Sequence, residues 1–166
     1  MNKQKFYFSS ANKEAGMRAV EWLPEGEPKA VLHICCDENK HMQCREELAD
    51  YFTQQGFIVA ACKPSEKKEM HRCLKKAKDK YADIPHLLVG CSDEATVVQS
   101  FITEYPEAVE GVVLAGSAKK PVTVDEKLPV LQIDGVEDNC REVFRCIFRW
   151  TEERLDEMLY HAATKY

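Results

Sequence analysis

No segment of this 166-residue sequence approaches the roughly 20 consecutive apolar residues that crossing a bilayer requires. The opening residues, Met1-Asn2-Lys3-Gln4-Lys5, lack the apolar stretch of a secretion signal. A cytoplasmic location is therefore the expectation. Positive charge is not in excess either. The formal net charge is -5, which favours solubility and offers no general attraction for nucleic acid or an anionic membrane. The basic clusters Lys67-Lys68 and Lys75-Lys76-Ala77-Lys78 are interrupted by acidic residues and read as a solvated helix face. No linker, low-complexity tract or close internal repeat divides the chain, so residues 1–166 are read as one domain.

The eight cysteines show neither a zinc-ribbon spacing nor a C-x-x-C pair; Cys35-Cys36 are simply adjacent. They sit largely inside apolar runs of a chain long enough to build its own core. Free thiols in a reducing compartment are the reading. A composition of 45% hydrophobic and 31% charged residues is that of an ordinary globular domain.

The chain is organised by an alternation of two patterns. Strands are expected at Lys5–Ser9, Met17–Trp22, Ala30–Cys36, Phe57–Cys62, His86–Cys91, Glu110–Ala115 and Pro129–Asp134. Helices are expected over His41–Gln55, with Gly56 as a left-handed terminator, and over Glu66–Lys80 and Asp93–Tyr105. Apolar strands alternating with helices of this length predict an α/β fold: a mostly parallel sheet between helical layers. At the carboxyl end, two helices are expected over 140–149 and 152–163. Asn139 and Glu142 form a capping-box pattern there, and too few residues follow the 129–134 strand for a parallel crossover. An antiparallel edge strand at 141–149 is the alternative.

From Phe6 to Asp138 the sequence resembles the monoacylglycerol-lipase/lysophospholipase branch of the α/β-hydrolases. The resemblance is carried in order by several segments: Phe8-Ser9-Ser10, the stretch from Trp22 to Val31, Gly56–Val59, Ile84–Ser92, Gly111–Ala118 and Pro129–Gly135. It implies a reduced α/β-hydrolase fold. The short stretch between Ser117 and Pro129 leaves no room for the lipid-binding cap of relatives, so the cap domain is expected to be absent. A small exposed ester or thioester would suit such a site better than a long-chain lipid.

The resemblance also implies a site. Gly90-Cys91-Ser92-Asp93-Glu94 stands where the family has G-x-S-x-G, a tight strand-to-helix elbow. Ser92 falls at the nucleophile, and Glu94 replaces the second glycine. A helix-capping serine is the alternative reading of Ser92. Cys36 and Asp37 replace a His-Gly pair on the oxyanion side, while His41 matches a later histidine. The backbone amides of Asp93 and Asp37 are the oxyanion donors that remain. The carboxylates of Asp37 and Glu94 oppose the negative charge that such donors stabilise. Asp138, in Gly135-Val136-Glu137-Asp138, matches the acid, and a loop acid or helix cap is its other reading. The only later histidine is His161, which is also placed to lie at the edge of a helical apolar stripe. Without an effective base a serine hydroxyl is a poor nucleophile.

Three functions follow from these readings. The first is a diverged, catalytically impaired hydrolase-like binding module, with self-association through an edge exposed by loss of the cap and terminal strand. The second is a serine esterase or thioesterase using Ser92, His161 and Asp138 on a small acyl-ester ligand. The third is a soft-metal or thiol-redox sensor at Cys36, Cys62 and Cys91, which the recognised strand order brings together at strand ends. Packing cysteines in buried strands are the plain alternative to the third. No cofactor is expected.

Overall fold

The computed structural model describes residues 2–9, 16–35, 38–62, 67–91, 94–116, 128–134 and 140–164. Its elements are β1 (Asn2–Ser9), β2 (Gly16–Leu23), β3 (Ala30–Cys35), α1 (Glu38–Gln54), β4 (Phe57–Cys62), α2 (Lys67–Lys80), β5 (His86–Cys91), α3 (Glu94–Glu104), β6 (Gly111–Gly116), β7 (Val130–Asp134) and α4 (Cys140–Thr164). The strands form one sheet in the order β1-β2-β4-β3-β5-β6-β7. β1 and β2 pair antiparallel, and β2 lies antiparallel on β4. From β4 to β7 every pairing is parallel. Only residues 117–129 separate β6 from β7, so no large cap is inserted there.

Strand alternation sends side chains to the two faces in turn, and each face has its own core. On one face Leu32, Ile34, Phe57, Val59, Leu87, Val89 and Val113 meet Leu48, Ala49 and Phe52 of α1 and Phe144, Ile147 and Leu155 of α4. On the other, Cys35, Leu88, Val112 and Leu114 meet Met70 and Leu74 of α2 and Ala95, Val98, Phe101 and Ile102 of α3. The spacing of these helical residues at three and four is what gives each helix one apolar stripe. Covering both faces explains why β3 is buried along its whole length. The exposed side chains of Lys68, Lys75 and Lys76 leave the other side of α2 to solvent.

Gly56 ends α1 as expected, at φ +92°, with its N–H bonded to the Thr53 carbonyl at 3.1 Å. The carboxyl end differs from expectation. One helix, α4, replaces the two helices over 140–149 and 152–163, and no edge strand forms at 141–149. Nothing near residue 150 breaks it, since neither glycine nor proline occurs there. Thr151 sits fully buried within the stripe, and its hydroxyl donates to the Ile147 carbonyl at 2.7 Å. The stripe Phe144, Ile147, Thr151, Leu155 therefore runs through the expected gap.

Candidate functional site at the carboxyl edge of the sheet

The connection after β3 leads to β4 on one side, whereas that after β5 leads to β6 on the other. The carboxyl ends of β3 and β5 thus flank a topological switch point, where open α/β sheets bind their ligands. Cys35 is paired with Gly90 across this point. Residues 36–37 and 92–93 consequently leave neighbouring strands at one edge. Cys36, Asp37, Ser92 and Asp93 themselves lie outside the described residues, as does Asp138 between β7 and α4.

The flanks of residues 92–93 are closely defined. β5 ends at Cys91 and α3 begins at Glu94, so two residues separate strand from helix. Gly90 is required by what stands over it. A Cβ at Gly90 would lie 2.8 Å from Val98 Cγ2 and 3.0 Å from Ala95 Cα. No side chain fits against a helix backbone that close.

The course of α4 separates His161 from this strand end. The helix leaves the carboxyl edge after β7 and runs down the sheet. Trp150 packs over Gly111, the first residue of β6: a Cβ there would lie 3.0 Å from the indole. Glu152 pairs at 3.3 Å with Lys29, which immediately precedes β3. The amino edge is thus reached by residues 150–152. At a rise of 1.5 Å per residue, the backbone of His161 lies about 14 Å farther on. Adding the length of β5 puts it on the order of 30 Å from the carboxyl end of that strand. No catalytic triad is evident among the described residues.

Two other histidines are engaged deep in the fold. His33 of β3 and His86 of β5 lie on the α2/α3 face, ring nitrogens 2.9 Å apart and rings stacked at 5.2 Å. His86 Nε2 is 2.9 Å from the Tyr81 carbonyl, which can only accept, so that nitrogen carries the proton. His86 Nδ1 then accepts from His33 Nε2–H. Burial, reinforced by His86 and Lys78, lowers the His33 pKa to about 3. Burial also lowers that of His86. The Tyr81 hydroxyl in turn donates to buried Glu21, which also accepts from Lys80 Nζ at 3.2 Å. Glu110 accepts the His86 backbone N–H at 2.6 Å. This polar chain lies toward the amino half of the parallel strands. His71 stands exposed on α2 with its ring 4.6 Å from Tyr105. His41, within the first turns of α1, has its backbone near the carboxyl edge.

The sequence reading missed the polar chain. Its signal was a histidine within each of two strands otherwise apolar enough to be covered on both faces.

Of the thiols expected to gather at strand ends, only Cys91 has a described side chain. Cys35 is buried in the α2/α3 core, whereas half-buried Cys91 packs against the α1/α4 core on the opposite face. Cys62 is paired through its backbone with Cys35. Among the described residues no group of three histidine, cysteine or acidic side chains is arranged to hold a metal. Nor is any helix among them long and apolar enough to cross a membrane.

No family model matches the sequence, and no curated protein matches it. Solved structures match it in fold. A cold-adapted esterase from an Arctic intertidal metagenomic library, in a zinc-bound structure, superposes with a TM-score of 0.72 at 11% identity, covering 92% of this chain and 93% of that one. An α/β serine hydrolase without a lid from Xanthomonas campestris gives 0.64 at 12%, covering 91% and 78%. A thermostable carboxyl esterase from Bacillus coagulans gives 0.62 at 18% over 70% of this chain, which spans 45% of that esterase's length. The chain therefore has the α/β-hydrolase fold, in a reduced form.

Proposed function

We propose that this chain is a diverged α/β-hydrolase whose serine site is catalytically impaired, and that it binds a small acyl-type ligand at the carboxyl edge. The course of α4 carries this reading. It takes the only histidine after Asp138 to the far side of the sheet, leaving Ser92 without the base that the resemblance assigned to it. The sequence adds two opposing charges, since the resemblance sets Asp37 and Glu94 at positions where an oxyanion would need donors. A ligand seated there would take hydrogen bonds from the Ser92 hydroxyl and the Asp93 amide, with no proton withdrawn from the serine. Descent from the monoacylglycerol-lipase/lysophospholipase branch and a cytoplasmic location belong to the same proposal.

A second reading keeps catalysis at Ser92. Gly90 under α3 favours it, because that close approach is what a nucleophile elbow needs. His41, on the same edge, would then replace His161 as base, with Asp138 as its orienting acid. The thiol-sensor reading has no specific observation in its favour, since of Cys36, Cys62 and Cys91 only Cys91 has a described side chain, and it packs half-buried against the α1/α4 core.

Fluorophosphonate labelling of the purified chain, compared with Ser92→Ala and His41→Gln, separates the two main readings. The impaired site predicts no Ser92-dependent labelling and no turnover of short-chain p-nitrophenyl esters. Labelling abolished by Ser92→Ala, with ester turnover lost in both variants, would establish the esterase instead.

A further inference from the structure

We infer that β7 and α4 form the interface of a two-fold homodimer, in which β7 pairs antiparallel with β7 of a second copy. This surface is independent of what residues 92–93 do. β7 is the last strand of the sheet and, among the described residues, is paired only with β6. Pro129 stands at its entrance, its carbonyl bonded to Val112 of β6, but within Val-Leu-Gln-Ile-Asp no lysine or proline guards the edge.

The helix above this edge points to the occupant. α4 packs across both β6 and β7. Phe144 and Phe148 turn toward Tyr51 of α1. The opposite flank of α4 carries Glu142, Arg145, Cys146, Arg149, Trp150 and Glu153, which line an open groove of about 340 Å³. Continuing the sheet gives the order β6-β7-β7-β6 across the two copies. The two α4 axes then lie two strand spacings apart, about 10 Å. That is the distance at which helices pack. A second copy is therefore the partner whose geometry the edge and the helix both accept.

Charge agrees with geometry. Trp150 stands over Gly111, one residue below the Val112–Val130 pair. A two-fold axis through Gln132 lies about 10 Å higher, or about seven helical residues earlier. The axis thus crosses α4 near residues 143–144. Two antiparallel α4 helices centred there oppose Glu142 of each copy to Arg145 of the other, with Arg149 one turn farther on. Both arginines and Glu142 are exposed, and among the described residues no ion pair within the chain engages them. The interface is isologous, so each favourable pair occurs twice.

Sedimentation velocity of the full chain from 1 to 100 µM tests this, with far-UV circular dichroism to verify folding. The wild type should sediment as a dimer at the upper concentrations. Arg145→Glu opposes like charges twice and should raise the dissociation constant by on the order of tenfold or more. Adding Glu142→Arg to it re-forms both pairs and should return the constant to within about threefold of wild type. Gln132→Lys places two like charges across the axis and should weaken the dimer comparably. A chain monomeric at 100 µM overturns the inference. So does a dimer indifferent to both Arg145→Glu and Gln132→Lys, or a double variant no tighter than Arg145→Glu alone.

Discussion

Lowering the pH should destabilise this protein through His33. The imidazole is buried against the α2/α3 face and neutral, with its pKa reduced from 6.5 to about 3. As the pH falls below 6.5 the unfolded chain takes up this proton while the folded chain does not. Stability is therefore full above pH 6.5 and is lost progressively down to about pH 3. At pH 5 the loss from His33 alone is about 2 kcal/mol, and below pH 3 it approaches about 5 kcal/mol. Either figure is a large share of the roughly 5–15 kcal/mol that holds a typical domain folded. His86, also lowered by burial, adds to the loss in the same direction. Urea unfolding at pH 7.5, 6 and 5 measures it. In His33→Gln the amide can still donate to His86 Nδ1 but cannot titrate. That variant should be less stable at pH 7.5 and should lose about 2 kcal/mol less than wild type between pH 7.5 and 5. Parallel losses in the two proteins would refute the argument.

Two further perturbations examine packing. Gly90→Ala drives a methyl into Val98 and the α3 backbone; it should cost about 1–3 kcal/mol and lower the melting temperature measured by calorimetry. Thr151→Pro removes a backbone donor and clashes within α4. It should cost about 3 kcal/mol or more and reduce helical ellipticity. Two separate helices meeting near residue 151 would tolerate that proline.

The fold was largely legible because β3, β4, β5 and β6 are short apolar runs, each covered on two sides, with helices of one-sided apolarity between them. What escaped reading depended on tertiary neighbours. A hydroxyl mid-helix, as at Thr151, competes for backbone bonds. Here it bonds inward to Ile147 and lies in the stripe. His33 and His86 are 53 positions apart and meet only because β3 and β5 are adjacent. The candidate site was legible as a set of matched positions along the chain. Which edge of the sheet each reached was not, since His161 follows Asp138 in sequence order as a family histidine would. Only the unbroken axis of α4 takes it to the opposite edge.

Gly90 has a consequence for how this protein can change. Its missing side chain is demanded by Val98 and Ala95, residues that hold α3 on the sheet whatever residue 92 does. Selection for folding alone would keep that glycine. The close seating of α3 on β5 can thus persist on packing grounds alone, and different uses can be built at the strand end it frames.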